Sequence, residues 1–369
     1  MIDVTRARAL TPGAEHQAYF YSCGAGLMPR PVLDAVHGHL DLEARIGYAA
    51  EEQAAPATEA AYDAIACLIN CHRDEVAIVE NATVAWCQAF YGLAQDFKAG
   101  DRVLTVVAEY ASNFIALLQT VRRRGIVVDV IPNDGDGQAD LEALEALIDD
   151  DVKLIAVTHV PTSGGLVSPA AQIGAIARRH GIPYLLDACQ SAGQLPLDVA
   201  ELGCDFLSAT GRKFLRGPRG TGFLYAGKAI MQRCEPPVLD LHSAVWTAPD
   251  TYEMRPDARR YENWENNVAG KIGLGVAVEH ALSWGLENIA ARNAGRRQCA
   301  IVTFSHDRLA PQEIAAALAG QAIAIGTSSR SSTLIDFQAR NLPPLCRAAV
   351  HYHNTEEELA RLAAAVAAL

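Results

Sequence analysis

From about residue 60 to residue 230, short apolar runs alternate with helical patterns, and few folds accept such a chain. VAIVE (76–80) precedes ATVAWCQAFYGLAQDF, RVLTVV precedes SNFIALLQTVRRRG, and IVVDVIP precedes LEALEALIDD. KLIAVTHV then precedes PAAQIGAIARRHG, and PYLLDACQ (183–190) leads on to DFLSA and GFLYA. This alternation predicts an open, mostly parallel sheet with helices on both faces. Crossovers should be right-handed, and ligands should gather beyond the carboxyl ends of the strands. Residues 230–268 read as irregular, being rich in Pro, Trp and charge. A helical stretch, KIGLGVAVEHALSWGLENIAARN, then leads to a smaller α+β part. Its strands are an IVTF run, AIAIGTS and AAVHY (348–352), and its last helix, TEEELARLAAAVAAL, opens at Asn354-Thr355 with a helix-start signature. The expected division is an N-terminal segment over 1–20, a large domain over 21–240, and a linker with a small domain over 241–369.

Half of the 369 residues are hydrophobic, enough for a sizeable core. A net charge of −12 argues against a general nucleic-acid surface. The nine cysteines show no C-x-x-C and no metal-ligand spacing, so no metal is expected, and an odd count without a framework fits a reducing cytosol. Cys67, Cys87, Cys189 and Cys346 sit among apolar neighbours and read as small core residues. The N-terminus has no apolar leader-like region and no run reaches membrane-spanning length, which predicts a soluble, cytoplasmic protein without a membrane partner.

Two charged residues stand out against the apolar pattern. Asp187 ends the apolar run PYLLDACQ, and a carboxylate there must find a partner or bear a large desolvation cost. Lys213 follows the next strand within SATGRKFLRGPRGTGF (208–223), ahead of Gly217, Gly220 and Gly222. An acid at one strand end and a lysine just past the next suggest pyridoxal 5′-phosphate (PLP) chemistry, in which the lysine holds the cofactor's aldehyde and the acid keeps the ring nitrogen protonated. Read alone, the lysine could equally belong to a solvated basic run with Arg212, Arg216 and Arg219. Asn81, Ala82 and Thr83 sit where a strand ends and a helix begins. That turn reads either as an ordinary cap or as an anion site. His159 reads as a buried structural histidine.

With D-A-x-Q, R-K and its Gly-rich tail in place, the chain resembles the class V aminotransferases of PLP fold type I, from SCGAGLMP (22–29) to RAAVHYHNTEEEL (347–359). That family includes cysteine desulfurases, kynureninases and isopenicillin N epimerases. The nearest likeness is to the epimerase-like branch that holds the C–S lyases of ergothioneine biosynthesis. The resemblance implies that Lys213 carries the cofactor as an imine and moves the Cα proton, aided by the cations Arg212 and Arg216. It puts Asp187 on the ring nitrogen and Gln190 on the phenolic oxygen. It assigns the phosphate to Asn81, Ala82, Thr83, Thr210 and Arg212, with arginine where desulfurases carry histidine.

In EYASN (109–113) the ring-stacking position aligns with Ala111, leaving Tyr110 beside it as the aromatic. Thr162 faces the cofactor or substrate, Arg347 clamps the substrate carboxylate, and the backbone at Ala25 and Gly26 approaches it. The catalytic-cysteine position of desulfurases falls at Ser332, which cannot supply a thiolate. The expectation is therefore a homodimeric enzyme acting on an L-amino acid, foremost by β-elimination of a cysteine conjugate or sulfoxide. Transamination or epimerisation is the alternative; desulfuration and a non-catalytic binding role stand behind. RRYENWENN (259–267) is expected to complete the partner's site.

Overall fold

In a computed structural model, which describes residues 1–293 and 298–369, the alternating pattern folds as one seven-stranded sheet. Its strands are β1 (Val76–Val79), β2 (Arg102–Val106), β3 (Val127–Ile131), β4 (Val152–Thr158), β5 (Tyr184–Asp187), β6 (Phe206–Thr210) and β7 (Gly222–Ala226). Their spatial order is β1-β7-β6-β5-β4-β2-β3. Every pairing is parallel except the two made by β7, which runs against β1 and β6.

The central strands are apolar throughout because helices cover both faces. Successive residues feed opposite cores. Leu186 and Leu207 join the cluster that includes Ile65, Leu274 and Val278, whereas Leu185 and Phe206 join the one built around Trp86 and Phe90. Edge strand β3 lacks that cover and is only partly buried.

Crossover helices Ala111–Arg124 and Ala170–His180 end at Gly125 and Gly181, whose φ angles of 74° and 66° suit glycine. Register then sets the functional edge: Thr158 pairs with Asp187, Asp187 with Ser208, and Thr210 with Gly222. These residues come to one rim, at the carboxyl ends of β4, β5 and β6.

Two long helices, Arg30–Ile46 and Ala49–Ile69, were not foreseen from the sequence. They pack against Val268–Trp284. A Cβ at Gly275 would stand 2.7 Å from that of Ala61, so glycine permits the close helix contact. The expected helix over 271–293 is broken at Gly285 (φ 79°), and Leu286–Asn293 continues beyond it.

Residues 230–268 are not wholly irregular, for Ala244–Ala248 and Thr251–Met254 form an exposed antiparallel hairpin. The smaller sheet has the order β8-β10-β9, from β8 (Ile301–Phe304), β9 (Gly326–Ser328) and β10 (Leu345–Ala349). Strand β10 lies three residues earlier than AAVHY suggested, since His351 and Tyr352 turn inward beside Arg216. Ala18–Tyr19 pairs with Ile323–Ala324, tying the N-terminal segment to the C-terminal part. Cys346 is buried as expected, but Cys67 is exposed and Cys87 and Cys189 are half-buried. Among the described residues, no helix is long and apolar enough to cross a membrane.

Candidate active site

Two adjoining cavities open at the rim of the large sheet. The first, about 490 Å³, is lined by Asn81, Ala82, Thr83, Tyr110, Asn113, Asp187, Thr210, Arg212 and Lys213 among others. The second, about 320 Å³, shares Tyr110, Arg212 and Lys213 and adds Tyr21, Cys23, Ala25, Thr162, Arg219, Ser332 and Arg347. A larger cavity of about 760 Å³ lies at the opposite, amino ends of the strands and mixes Asp101, Asp149 and Asp150 with Lys98 and Lys153. It holds none of the residues singled out from the sequence.

Asp187 is 4% exposed and fully engaged. Oδ1 accepts from Cys189 N at 2.9 Å and Oδ2 from Asn113 Nδ2 at 2.9 Å. Lys213 is 7% exposed, and its Nζ lies 5.9 Å from the centroid of the Tyr110 ring. The aromatic over the site is thus Tyr110 itself; Ala111 begins the next helix. The lysine loop is clamped from behind. Gly26 N donates to Arg212 O at 2.7 Å, and a Cβ on Gly26 would meet Lys213 O at 2.5 Å. Gly26 therefore seats the N-terminal segment against the loop, while Ala25 lines the cavity. Arg216 turns away, donating to Leu27 O, Tyr352 Oη and Thr11 Oγ1 at 2.6–2.7 Å, so Arg212 is the arginine left beside Lys213.

The anion end of the first cavity is the start of helix Ala82–Ala94. Asn81 caps it, its Oδ1 accepting from Val84 N at 3.0 Å. The helix N-terminus, the Thr210 hydroxyl and the Arg212 guanidinium face one cavity, which suits a phosphate. A Cβ on Gly222 would meet Asn81 C at 2.8 Å, so β7 can lie against this turn only with glycine there.

Gln190 Nε2 donates to Cys23 O and to Thr162 Oγ1, each at 3.1 Å, while its buried Oε1 has no partner among the described residues. Arg347 lies on β10 and is 8% exposed. Nη1 donates to Thr162 O and Oγ1 at 2.9 and 2.6 Å, and Nη2 reaches Tyr21 Oη only at 3.4 Å. Among the described residues its buried Nε has no partner, and Arg347 lines the second cavity.

His159 is a structural residue, as expected. It is buried against Ser191 Oγ at 3.0 Å, and burial lowers its pKa to about 4. Cys23, Tyr21, Asn113 and Glu109 were missed. Burial pushes the Cys23 thiol up, while Arg347 and Lys213 oppose that shift. Only Glu109 had a legible signal, an acid directly after an apolar run, as at Asp187.

Residues 18–301 match the family model described as "Aminotransferase class-V". The chain belongs to the class V aminotransferase family. A probable cysteine desulfurase of Methanothermobacter thermautotrophicus is 29% identical over 323 residues, covering 81% of this chain and 80% of the relative. The cysteine desulfurase of Thermococcus onnurineus superposes with a TM-score of 0.90 at 24% identity, over 99% and 97% of the two chains, which shows the fold. C-DES, solved with glycine covalently linked to its PLP cofactor, superposes with a TM-score of 0.85 at 25% identity, over 97% and 98% of the chains.

The chain is accordingly a PLP-dependent enzyme of fold type I. The buried acid, the lysine and the anion end of the cavity fit that cofactor. The relatives also overturn an expectation. The Methanothermobacter relative and the Thermococcus structure are named cysteine desulfurases, the activity that the sequence had placed behind β-elimination, while C-DES is named a cystine C–S lyase. Ser332 lines the second cavity and brings no thiol to it. Cys23, far away in sequence, lines the same cavity.

Proposed function

We propose that this enzyme desulfurates L-cysteine, giving alanine and passing the sulfur to a thiol. The observation that carries the reading is the second cavity. Lys213, Arg347 and Cys23 all line it, with no carboxylate among its lining residues. A pocket so charged suits a substrate bearing a carboxylate.

Bound PLP supplies an electron sink for charge released at Cα. Asp187 would hold the proton on the ring nitrogen, with Asn113 Nδ2 and Cys189 N donating to its two oxygens. Arg347 would grip the α-carboxylate by its Nε–Nη2 edge, and Thr162 fixes the opposite edge. Lys213 would move the proton at Cα. Cys23 is the sulfur acceptor in this reading. Its Sγ bonds to the substrate sulfur, the C–S bond breaks, and the electron pair left on carbon takes up a proton to give alanine. A thiol from solution then removes the sulfur, so cysteine and thiol become alanine and a persulfide.

We further propose a cytoplasmic homodimer with its large domain ending near residue 240. The apolar side chains of the hairpin over 244–254 and of Trp264 point into solvent, a surface a second copy would cover.

Product analysis with L-cysteine and an excess thiol tests the function. Alanine and persulfide sulfur should form in equal amounts, and Cys23→Ser should suppress both while leaving the cofactor bound. Pyruvate and ammonia in place of alanine would overturn the reading.

A further inference from the structure

Glu109 is a buried carboxylate that the proposed chemistry does not use. It sits in the turn between β2 and helix Ala111–Arg124 and is 4% exposed. Oε1 accepts from Tyr110 N at 2.8 Å, Asn113 Nδ2 at 2.9 Å and Thr158 Oγ1 at 2.5 Å. Oε2 accepts from Thr105 Oγ1 at 3.0 Å and Thr158 N at 3.2 Å. None of these partners is a cation. The same Asn113 Nδ2 donates to Asp187 Oδ2, so one amide joins two buried carboxylates. Two such groups disfavour each other's ionised form unless a positive charge arrives between or beside them. The cofactor's protonated ring nitrogen, set against Asp187, is that charge.

We infer that Glu109 is a positioning residue for the cofactor ring: it holds Asn113 on Asp187 and Tyr110 over the site, and its negative charge favours the cationic ring. By reciprocity the ring favours the ionised form of Glu109, so binding releases a proton whenever Glu109 was protonated beforehand. Without the cofactor, burial and then the Asp187 charge push Glu109 up to about 7, against the lowering effect of its hydrogen-bond donors.

The titratable groups facing it are Asp187 and Tyr184 from β5, with Tyr110 on its own turn. Cys189, Arg212 and Lys213 lie beyond Asp187, while Thr105, Thr158 and Asn113 are uncharged. The ring's charge lowers the Glu109 pKa in the complex. The contribution of Glu109 to affinity is therefore complete above the cofactor-free pKa and is lost as pH falls through and below it.

The test is equilibrium binding of pyridoxamine 5′-phosphate to the cofactor-free full-length chain. This ligand has no aldehyde and so leaves Lys213 out of the titration. Wild type is compared with Glu109→Gln at each pH, which cancels the ligand's own titrations. The ratio of dissociation constants, variant over wild type, should grow about tenfold between about pH 6 and pH 8, within the usual range of site coupling. A ratio that stays constant across that range would mean a purely structural role and would overturn the inference. Thr158→Val gives a second reading should Glu109→Gln fold poorly. Removing a hydroxyl that stabilises the charge should move the binding midpoint to higher pH, and an unmoved midpoint would equally overturn it.

Discussion

Arg347 spends only one edge of its guanidinium on the protein. Thr162 takes Nη1 twice, and the Nε–Nη2 edge is left with a single long contact to Tyr21. A planar fork can hold a carboxylate through two parallel bonds, and a lysine cannot. Arg347→Lys should therefore lower kcat/KM for L-cysteine by about one to three powers of ten, the loss of about 2–5 kcal/mol typical of a truncated buried charge pair. Cofactor affinity should hardly change, because the anion end of the site is built from Thr83, Thr210 and Arg212. Wild type should strongly prefer cysteine over its decarboxylated amine, and the variant should lose that preference. Equal rates with both compounds in wild type would remove the carboxylate clamp from the account.

At this scale the sequence was legible where one residue contradicted its surroundings. Asp187 and Arg347 are charges at the end of, or within, apolar strands, and Lys213 follows such a strand by three residues. Glu109 carries the same mark, an acid directly after the apolar run of β2. Tyr21 and Cys23 carried no mark, since they reach the cavity only when the N-terminal segment docks through its pairing with residues 323–324 and 349.

Among the elements, the loop that carries Lys213 is held in place by close backbone contact. Gly193 has φ 88°, and a Cβ there would come within 2.6 Å of Phe214 C and Leu215 N. Gly193→Ala therefore both strains its own backbone and pushes on the loop. It should destabilise the protein by about 1–3 kcal/mol and cut cofactor occupancy, read from the melting temperature and the visible absorbance of the purified protein. Unchanged values for both would show that the loop tolerates displacement.

The strands of the large sheet were legible because central parallel strands must be apolar on both faces. Helices Arg30–Ile46 and Ala49–Ile69 were not. The second is rich in alanine with Pro56 inside, which blurs its apolar stripe, whereas the first does carry one, with Val32, Leu33, Val36 and Leu40 at helical spacing. The hairpin over 244–254 was hidden for a related reason. It is exposed on both faces, so burial imposes no strong alternation on it.

For the whole molecule, several exposed apolar side chains lie on or near one hairpin, the surface proposed for a second copy. Trp246 is 78% exposed and Trp264 49% exposed, and Val245 and Tyr252 lie on the same hairpin. Burying them in an isologous contact would explain their exposure in the single chain. Sedimentation equilibrium should find a dimer, and Trp246→Asp with Trp264→Asp should shift the equilibrium towards monomer and lower cofactor occupancy. A monomer that is active with cofactor bound would remove the shared-site proposal.

The central claim is that cofactor attachment and proton transfer at Cα both rest on Lys213. Borohydride reduction of the loaded enzyme, followed by peptide mapping, tests it most directly. The account predicts a single stable pyridoxyl label on Lys213, absent from Lys213→Ala. A label on any other lysine would contradict it.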